Sequence, residues 1–503
     1  MQANEPAILS LAGVSHQSFR RWLSNRSFAK ANKKAPFRTS TVRYWSVQRS
    51  MLQQQLQQPQ QPQQPPPSPQ QQCILFYKYF VLSISTAQRA ALAEEQRALC
   101  EACGLRGRLR VACEGLNGTL AGNHEDTTAY IDAMERDARH RFAGIDWKSA
   151  DGVEAAECFG GDLQVRETEE VVSSGGTLTG VGLSCPASRL SPRDFHAKLT
   201  APGAARDLVL VDVRNGYESA VGRFEVPGGC PAIAPGTRTF GQFRAWVERT
   251  VAARATSEGD GAATDAPAGP IPPAAWEALQ PERVAGKAVL MYCTGGVRCE
   301  KASACVRELL DRQHAALPTG TAPEATPVVF QLEGGIHRYL EAFPDGGCFR
   351  GKNFVFDRRT TVSPLRPQGE VIVGRCAQRG CGAPWDEHSD THRCAACRVL
   401  VLVCPECDAA YAPPPPRPHA AGSDGEAAYP HGFYCEEHAF LGDTSADALL
   451  QVQAKLESGL AALQRAGQQA KHRRRSARRL LGWVGARLLE LGDQAVRARH
   501  TLT

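Results

Sequence analysis

The sequence predicts a multidomain chain of mixed α+β and α/β class with a cysteine-rich metal module, and three observations carry that reading. Apolar segments within residues 73–172 follow the order β-α-β-β-α-β. Further on, the runs Leu208-Val209-Leu210-Val211, Ala288-Val289-Leu290-Met291 and Val328-Val329-Phe330 are separated by helical stretches, the alternation of a parallel sheet covered on both faces. Finally, seven of the 18 cysteines crowd into the 60 residues from Cys376 to Cys435. A length of 503 residues accommodates about three domains or slightly more.

Composition narrows the class further. Hydrophobic residues make up 42% and charged residues 22%, and no apolar run approaches the ~18 residues of a membrane helix. The net charge of +6 is unevenly spread: residues 1–50 hold nine Lys/Arg against Glu5, and residues 471–503 hold nine against Glu490 and Asp493. The ends therefore carry +8 and +7, leaving −9 for the middle, so a nucleic-acid partner does not follow from net charge alone. A large chain without an apolar secretory signal keeps its cysteines reduced, which points to metal ligation rather than disulfides.

Taken in order, residues 1–50 are Arg/Ser-rich and nearly free of acid, and Phe19-Arg20-Arg21-Trp22-Leu23 fits one face of a basic amphipathic helix. This is the composition of a transit peptide, for a mitochondrion before a plastid, with a cytoplasmic protein as the alternative. Residues 51–72 form a disordered linker, since positions 53–72 hold twelve Gln and six Pro and little apolar surface. A strand over 74–82, a helix over 86–103, a strand ending at Val111 and a helix over 126–139 make residues 73–172 a ferredoxin-like α+β domain. Asn117-Gly118 predicts a hairpin turn, because both residues tolerate positive φ. Residues 186–345 form the α/β domain, with an Ala/Gly/Pro/Thr-rich surface insertion at 251–275. Residues 374–440 are the cysteine-rich module, and 441–503 a basic extension with helical periodicity (Leu449, Val452, Leu456, Leu460, then Leu480, Val484, Leu488) around the run 471–479.

The chemistry concentrates at Cys293-Thr294-Gly295-Gly296-Val297-Arg298-Cys299, which follows a strand and opens a helix. The glycines let the backbone N–H groups of Thr294, Gly295, Gly296 and Val297 converge, and the helix start adds its dipole. A Cys293 thiolate would be stabilised by these and by Arg298, lowering its pKa from about 8.5 and making it a nucleophile at neutral pH.

The metal module offers four spaced pairs: Cys376-x4-Cys381, Cys394-x-x-Cys397, Cys404-x-x-Cys407 and Cys435-x-x-His438. Eight soft or borderline ligands fill two tetrahedral structural zinc sites. Chain order suggests that the first and third pairs hold one ion and the second and fourth the other, with His388 and His392 able to replace a weaker ligand. Cys100 and Cys103 have no partner pair and read as helix packing.

The Cys-x-x-Gly-x-Arg loop resembles the rhodanese active site, in which the cysteine carries a persulfide. The upstream Val211-Asp212-Val213-Arg214-Asn215-Gly216-Tyr217-Glu218 is similar to the Asp-x-Arg motif of that family. Cys293 and Arg298 have four residues between them, a shorter loop than that of cysteine phosphatases of the same fold, which favours sulfur over phosphate. Under this resemblance Asp212, Arg214 and Glu218 support the loop, Arg214 and Glu218 either pairing beneath it or meeting substrate. Cys299 either resolves the persulfide as a disulfide or packs.

The domain order resembles a larger family. The segment Gly107-Arg108-Leu109-Arg110-Val111-Ala112-Cys113-Glu114-Gly115-Leu116-Asn117-Gly118-Thr119, a loop continuing Cys299-Glu300-Lys301-Ala302-Ser303, then Phe354-Val355-Phe356-Asp357 and a cysteine-rich tail are similar to the bacterial tRNA uridine hydroxylases and their eukaryotic rhodanese-domain relatives over about residues 73–440. The resemblance implies an acylphosphatase-like first domain and oxygen-dependent 5-hydroxylation of the wobble uridine of tRNA, with Cys293 essential. The alternatives are a sulfurtransferase acting on thiosulfate or a protein thiol, with a sulfur donor or acceptor as partner, and a non-catalytic binding module. Candidate tRNA contacts are Arg106, Arg108 and Arg110 on one strand face, and Lys471, Arg473, Arg474 and Arg475 in the tail.

Overall fold

The computed structural model describes residues 71–151, 158–159, 161–178, 187–228, 231–252, 279–316, 327–365, 369, 371–411, 432–442, 445–465 and 471–501. The expected transit peptide, most of the expected linker and the insertion beyond Ala252 lie outside the described residues.

In the first domain, β1 (Gln71–Tyr79), α1 (Thr86–Ala102), β2 (Arg106–Ala112), β3 (Gly115–Asn123), α2 (His124–Glu135), β4 (Lys148–Asp151) and β5 (Leu163–Glu167) build one sheet in the order β4-β1-β3-β2-β5. The first four strands pair antiparallel and β5 adds parallel to β2. A capping box starts α1: Ser85 Oγ accepts from the Gln88 N–H at 3.3 Å, while Gln88 Oε1 accepts from the Ser85 N–H at 2.9 Å, satisfying two end donors at once. One face of the sheet buries Ile74, Phe76, Leu109, Val111, Leu116 and Leu120 against Leu92, Tyr130 and Met134 of the helices. Cys100 is buried in that core, as packing requires.

Two expectations shift. β1 begins at Gln71, within the expected linker, because Gln72 is satisfied there: its amide donates to Asp151 at 2.8 Å and accepts from Thr127 at 2.8 Å. The hairpin turns at Cys113-Glu114, and Asn117 and Gly118 sit inside β3, opposite Arg110 and Leu109. A Cβ at Gly118 would come within 2.7 Å of the Phe76 and Leu109 side chains, so this glycine serves close packing rather than a turn.

The second domain contains β6 (Ser188–Leu190), α3 (Pro192–Thr200), β7 (Leu208–Asp212), α4 (Gly216–Ser219), β8 (Gly222–Phe224), α5 (Phe243–Ala252), β9 (Ala288–Tyr292), α6 (Val297–Ala316), β10 (Val328–Leu332), α7 (Gly335–Ala342) and β11 (Phe349–Gly351). Its parallel sheet runs β6-β10-β9-β7. Alternate residues face opposite ways: Val209, Val211, Val289 and Met291 pack under α5 and α6, and Leu210, Leu290 and Tyr292 under α3 and α7.

A short hairpin of β12 (Asn353–Phe354) and β13 (Thr361–Val362) leads to the cysteine-rich module, in which α8 (Pro405–Ala410) follows Cys404. The tail forms α9 (Ala446–Arg465) and α10 (Lys471–Thr501). These helices are not a separate extension: Leu449, Trp483 and Val484 share one core with Cys394, Val401, Val403, Phe433 and Leu441. The apolar stripe read from periodicity therefore completes the core that the small module lacks. Arg474 is half-buried and Arg475 exposed on the first turns of α10. No helix among the described residues is long and apolar enough to cross a membrane.

Candidate active site and metal centres

The loop after β9 places Cys293 at the end of the sheet, fully buried. The Gly296 N–H donates to Cys293 Sγ at 3.2 Å, and the loop is held from the other side by Ile336 N–H to Cys293 O (3.0 Å) and His337 N–H to Thr294 O (3.1 Å). Gly296 has a φ of 98°, a conformation that needs glycine. Burial opposes ionisation of Cys293, but the Cys299 thiol, the Arg298 guanidinium and the amides of Cys299 and Arg298 outweigh it and lower the thiol to about 6. Cys299, equally buried, is pushed up by burial and by Cys293. At neutral pH the thiolate thus belongs to Cys293.

Arg298 does not stand alone behind this thiolate. Its guanidinium grips Glu218 in a fork at 2.6 and 2.7 Å and also donates to Thr294 Oγ1 at 3.1 Å. Glu218 is buried, which alone would raise its pKa, but Arg298 and Arg214 hold it below the usual carboxylate range. An Arg214–Glu218 ion pair does not form. Arg214 pairs instead with Asp212 at 2.7 Å, and donates to Gly222 O, while Tyr292 OH donates to Asp212 at 2.8 Å. Asp212 and Arg214 are fully buried, so they stiffen the sheet end under the loop.

The first domain closes over the loop, a feature that sequence reasoning missed. Leu75 and Tyr77 would meet a Cβ on Gly295 and Gly296 at 3.2 and 3.0 Å. Tyr77 OH donates to Glu300 at 3.0 Å and Tyr79 OH to Val297 O at 3.4 Å. Glu300 also accepts from Arg189 at 2.7 Å and Gln331 at 3.2 Å. The buried Lys301 ammonium bridges Glu114 at 2.7 Å and Glu170 at 3.1 Å. Glu300 and Lys301 therefore dock the start of α6 onto the first domain, which gives the Cys-Glu-Lys continuation its physical meaning. Strand register puts Arg106, Arg108 and Arg110 opposite Ala121, Thr119 and Asn117, in line with Cys73, Leu75 and Tyr77. All three arginines are exposed on that same sheet face.

In the cysteine-rich module, Cys376, Cys381, Cys404 and Cys407 converge in one group, and Cys394, Cys397, Cys435 and His438 in another, with the ligand atoms of each group within 4.8 Å of one another. The Cys381–Cys404 and Cys397–Cys435 sulfurs are 3.7 Å apart, close to the ~3.8 Å that a tetrahedron with ~2.3 Å metal–sulfur bonds requires. Each group can hold one metal ion. His388 and His392 join neither: His388 Nε2 lies 2.8 Å from Tyr217 O, and His392 Nε2 lies 3.0 Å from Asp408.

Comparison with known proteins agrees with this architecture. Residues 71–171 match the UPF0176 acylphosphatase-like domain, and residues 350–413 the rhodanase C-terminal domain. The chain is 34% identical over 346 residues to rhodanese-like domain-containing protein 6 of Arabidopsis thaliana, covering 66% of this chain but only 50% of that protein. It is 31% identical over 313 residues to the tRNA uridine(34) hydroxylase of Mesorhizobium japonicum, covering 62% of this chain and 81% of the relative. With the tRNA uridine(34) hydroxylase of a Jannaschia species it shares 32% identity over 273 residues, 54% of this chain and 70% of the relative. Fold, domain order and the extent of these matches agree, and the chain belongs to the tRNA uridine(34) hydroxylase family.

Proposed function

We propose that the protein hydroxylates carbon 5 of the wobble uridine of tRNA, with Cys293 as the essential group. The observation that carries this is a thiolate-forming cysteine sealed beneath a second domain, whose sheet contributes Leu75 and Tyr77 to the loop's surroundings. A transferase working only on small sulfur donors has no use for such a cover. Relatives named for uridine 34 of tRNA support the substrate. The reaction replaces C5–H by C5–OH, taking one atom of molecular oxygen and sending the other to water, with two electrons and two protons from an external reductant. Here Cys293 is the reactive thiolate, Arg298 its electrostatic partner, and the N–H groups of Gly296, Arg298 and Cys299, rather than the expected run Thr294 to Val297, the backbone cradle. Arg106, Arg108 and Arg110 are the phosphate contacts of the first domain, with Lys471, Arg473, Arg474 and Arg475 as further candidates. Zinc suits the four-thiolate and three-thiolate-plus-imidazole sets, and when bound it cross-links the module. The basic residues 1–50 support import into an organelle, the mitochondrion first.

A second reading has one specific support. The amide cradle around a sulfur of lowered pKa also suits a Cys293 persulfide, formed when a sulfane sulfur passes from a donor. Nucleoside analysis of tRNA from cells lacking the protein separates the two. Loss of 5-hydroxyuridine derivatives, restored by wild type and by Cys299→Ser but not by Cys293→Ser, is the expected outcome. Intact 5-hydroxyuridine alongside fast thiosulfate turnover would leave only the sulfurtransferase.

A further inference from the structure

A cleft of about 610 Å³ opens beside the catalytic loop, between the first domain, the rhodanese domain and the metal module. Its lining includes Arg108, Arg238, Arg358, Arg393 and Arg398 against only two carboxylates, Asp357 and Asp390. Both carboxylates are already engaged, Asp357 by Arg359 at 2.6 Å and Asp390 by Arg393 at 3.5 Å. Among the described residues, no ion pair holds Arg108, Arg358 or Arg398. The cleft is therefore a cationic basin inside a chain whose middle is acidic.

Within it, Phe354-Val355-Phe356-Asp357 displays one ring. Phe354 is buried, Val355 N–H donates to Thr360 O at 2.8 Å, and Asp357 is clamped by Arg359. These anchors leave Phe356 half-exposed at 50%, with Phe354 edge-on at 5.3 Å. The Arg298 guanidinium carbon lies 5.5 Å from the Phe356 ring centroid, so the ring lies beside the Glu218–Arg298–Thr294 network of the Cys293 loop. An anchored, exposed aromatic ring in a cleft whose lining includes Arg108, Arg358 and Arg398 matches how unpaired RNA is recognised, by base stacking with phosphates on cations.

We propose that this cleft seats an unpaired ribonucleotide of the RNA substrate, its base stacked on Phe356 and its flanking phosphates on Arg108, Arg358 and Arg398. The proposal rests on the tRNA reading above and names the part of the molecule that reads the loop. It puts the base-reading part of the RNA site beside Arg298 of the catalytic loop.

The test is fluorescence anisotropy with the full chain and a labelled anticodon stem–loop, compared with the same strand annealed to its complement. Phe356→Ala should bind the stem–loop about 5- to 150-fold more weakly, the value of one stacked base, with duplex binding unchanged and Phe356→Trp restoring affinity. Arg108→Ala, Arg358→Ala and Arg398→Ala should each reduce the slope of log affinity against log salt by about 0.7 to 1. Unchanged stem–loop affinity in Phe356→Ala, or an equal loss for duplex, overturns the site. Binding is read without turnover, so the two ideas fail separately. A wild-type chain that binds through Phe356 but restores no 5-hydroxyuridine keeps this site and removes the hydroxylase. Restored 5-hydroxyuridine with full binding by Phe356→Ala does the reverse.

Discussion

Arg298→Gln isolates what sets the Cys293 thiolate. The substitution removes a cation that lowers the thiol and strands the Glu218 carboxylate, which has no solvent exposure and loses both fork bonds. A cation within ~4–6 Å shifts a pKa by about one to three units, and at ~6 Å and an effective dielectric of about 20 one unit charge is worth ~3 kcal/mol, or about two pH units. The midpoint should therefore move from about 6 to about 8 or higher, since the stranded carboxylate adds repulsion. At neutral pH that takes the thiolate from roughly nine-tenths of molecules to roughly one-tenth. Glu218→Gln should move the midpoint the other way, because Arg298 is then uncompensated, and the double substitution should return it close to the wild-type value. The assay is thiolate ultraviolet absorbance against pH, each protein minus the same protein carrying Cys293→Ser. Arg298→Gln alone should also cost about 3–5 kcal/mol of stability, much of it recovered in the double variant. A midpoint that stays near 6 in Arg298→Gln would mean that Cys299 and the backbone amides set the thiolate without the guanidinium.

Three further outcomes concern the metal module and the domain contact. Purified protein should carry two equivalents of metal by elemental analysis, Cys376→Ser and Cys394→Ser each losing one. Chelation should raise hydrogen exchange in α9 and α10 as well as in the module, because Leu449, Trp483 and Val484 lie in the same core as Cys394; helices that stay protected in metal-free protein would contradict this. Lys301→Met should lower stability in denaturant titration by about 3–5 kcal/mol, because Glu114 and Glu170 lose their shared buried cation. A change below 1 kcal/mol, about the worth of a surface pair, would mean that the bridge does not hold the two domains together.

Local chemistry was readable from the chain, and contacts between distant segments were not. A strand, two glycines and an arginine within seven residues pointed to Cys293, and chain order suggested the grouping in which the eight candidate metal ligands converge. The alternation in β2 put three arginines on one face because period two is a property of the backbone. The partner of each charge was invisible: Arg214 binds Asp212 two residues away, whereas Glu218 reaches Arg298 across 80 positions. Gly118 misled because glycine signals both turns and tight packing, and only the approach of Phe76 decides between them. Leu75 and Tyr77 looked like ordinary strand residues, since nothing in β1 announces what covers its second face.

That cover has a bearing on the lifetime of the protein. A thiol ionised at neutral pH climbs readily from sulfenic to sulfinic and sulfonic acid, and the last two steps are not reversed by ordinary thiols. Cys293 has no accessible surface, and the sheet residues Leu75 and Tyr77 close over the glycines beside it. Peroxide diffusing in bulk water then meets the exposed Cys381 before the reactive sulfur. A rhodanese portion made without the first domain should therefore lose its Cys293 thiol to peroxide faster than the intact protein does, as read by mass spectrometry, and equal rates would mean that the loop alone shields the sulfur.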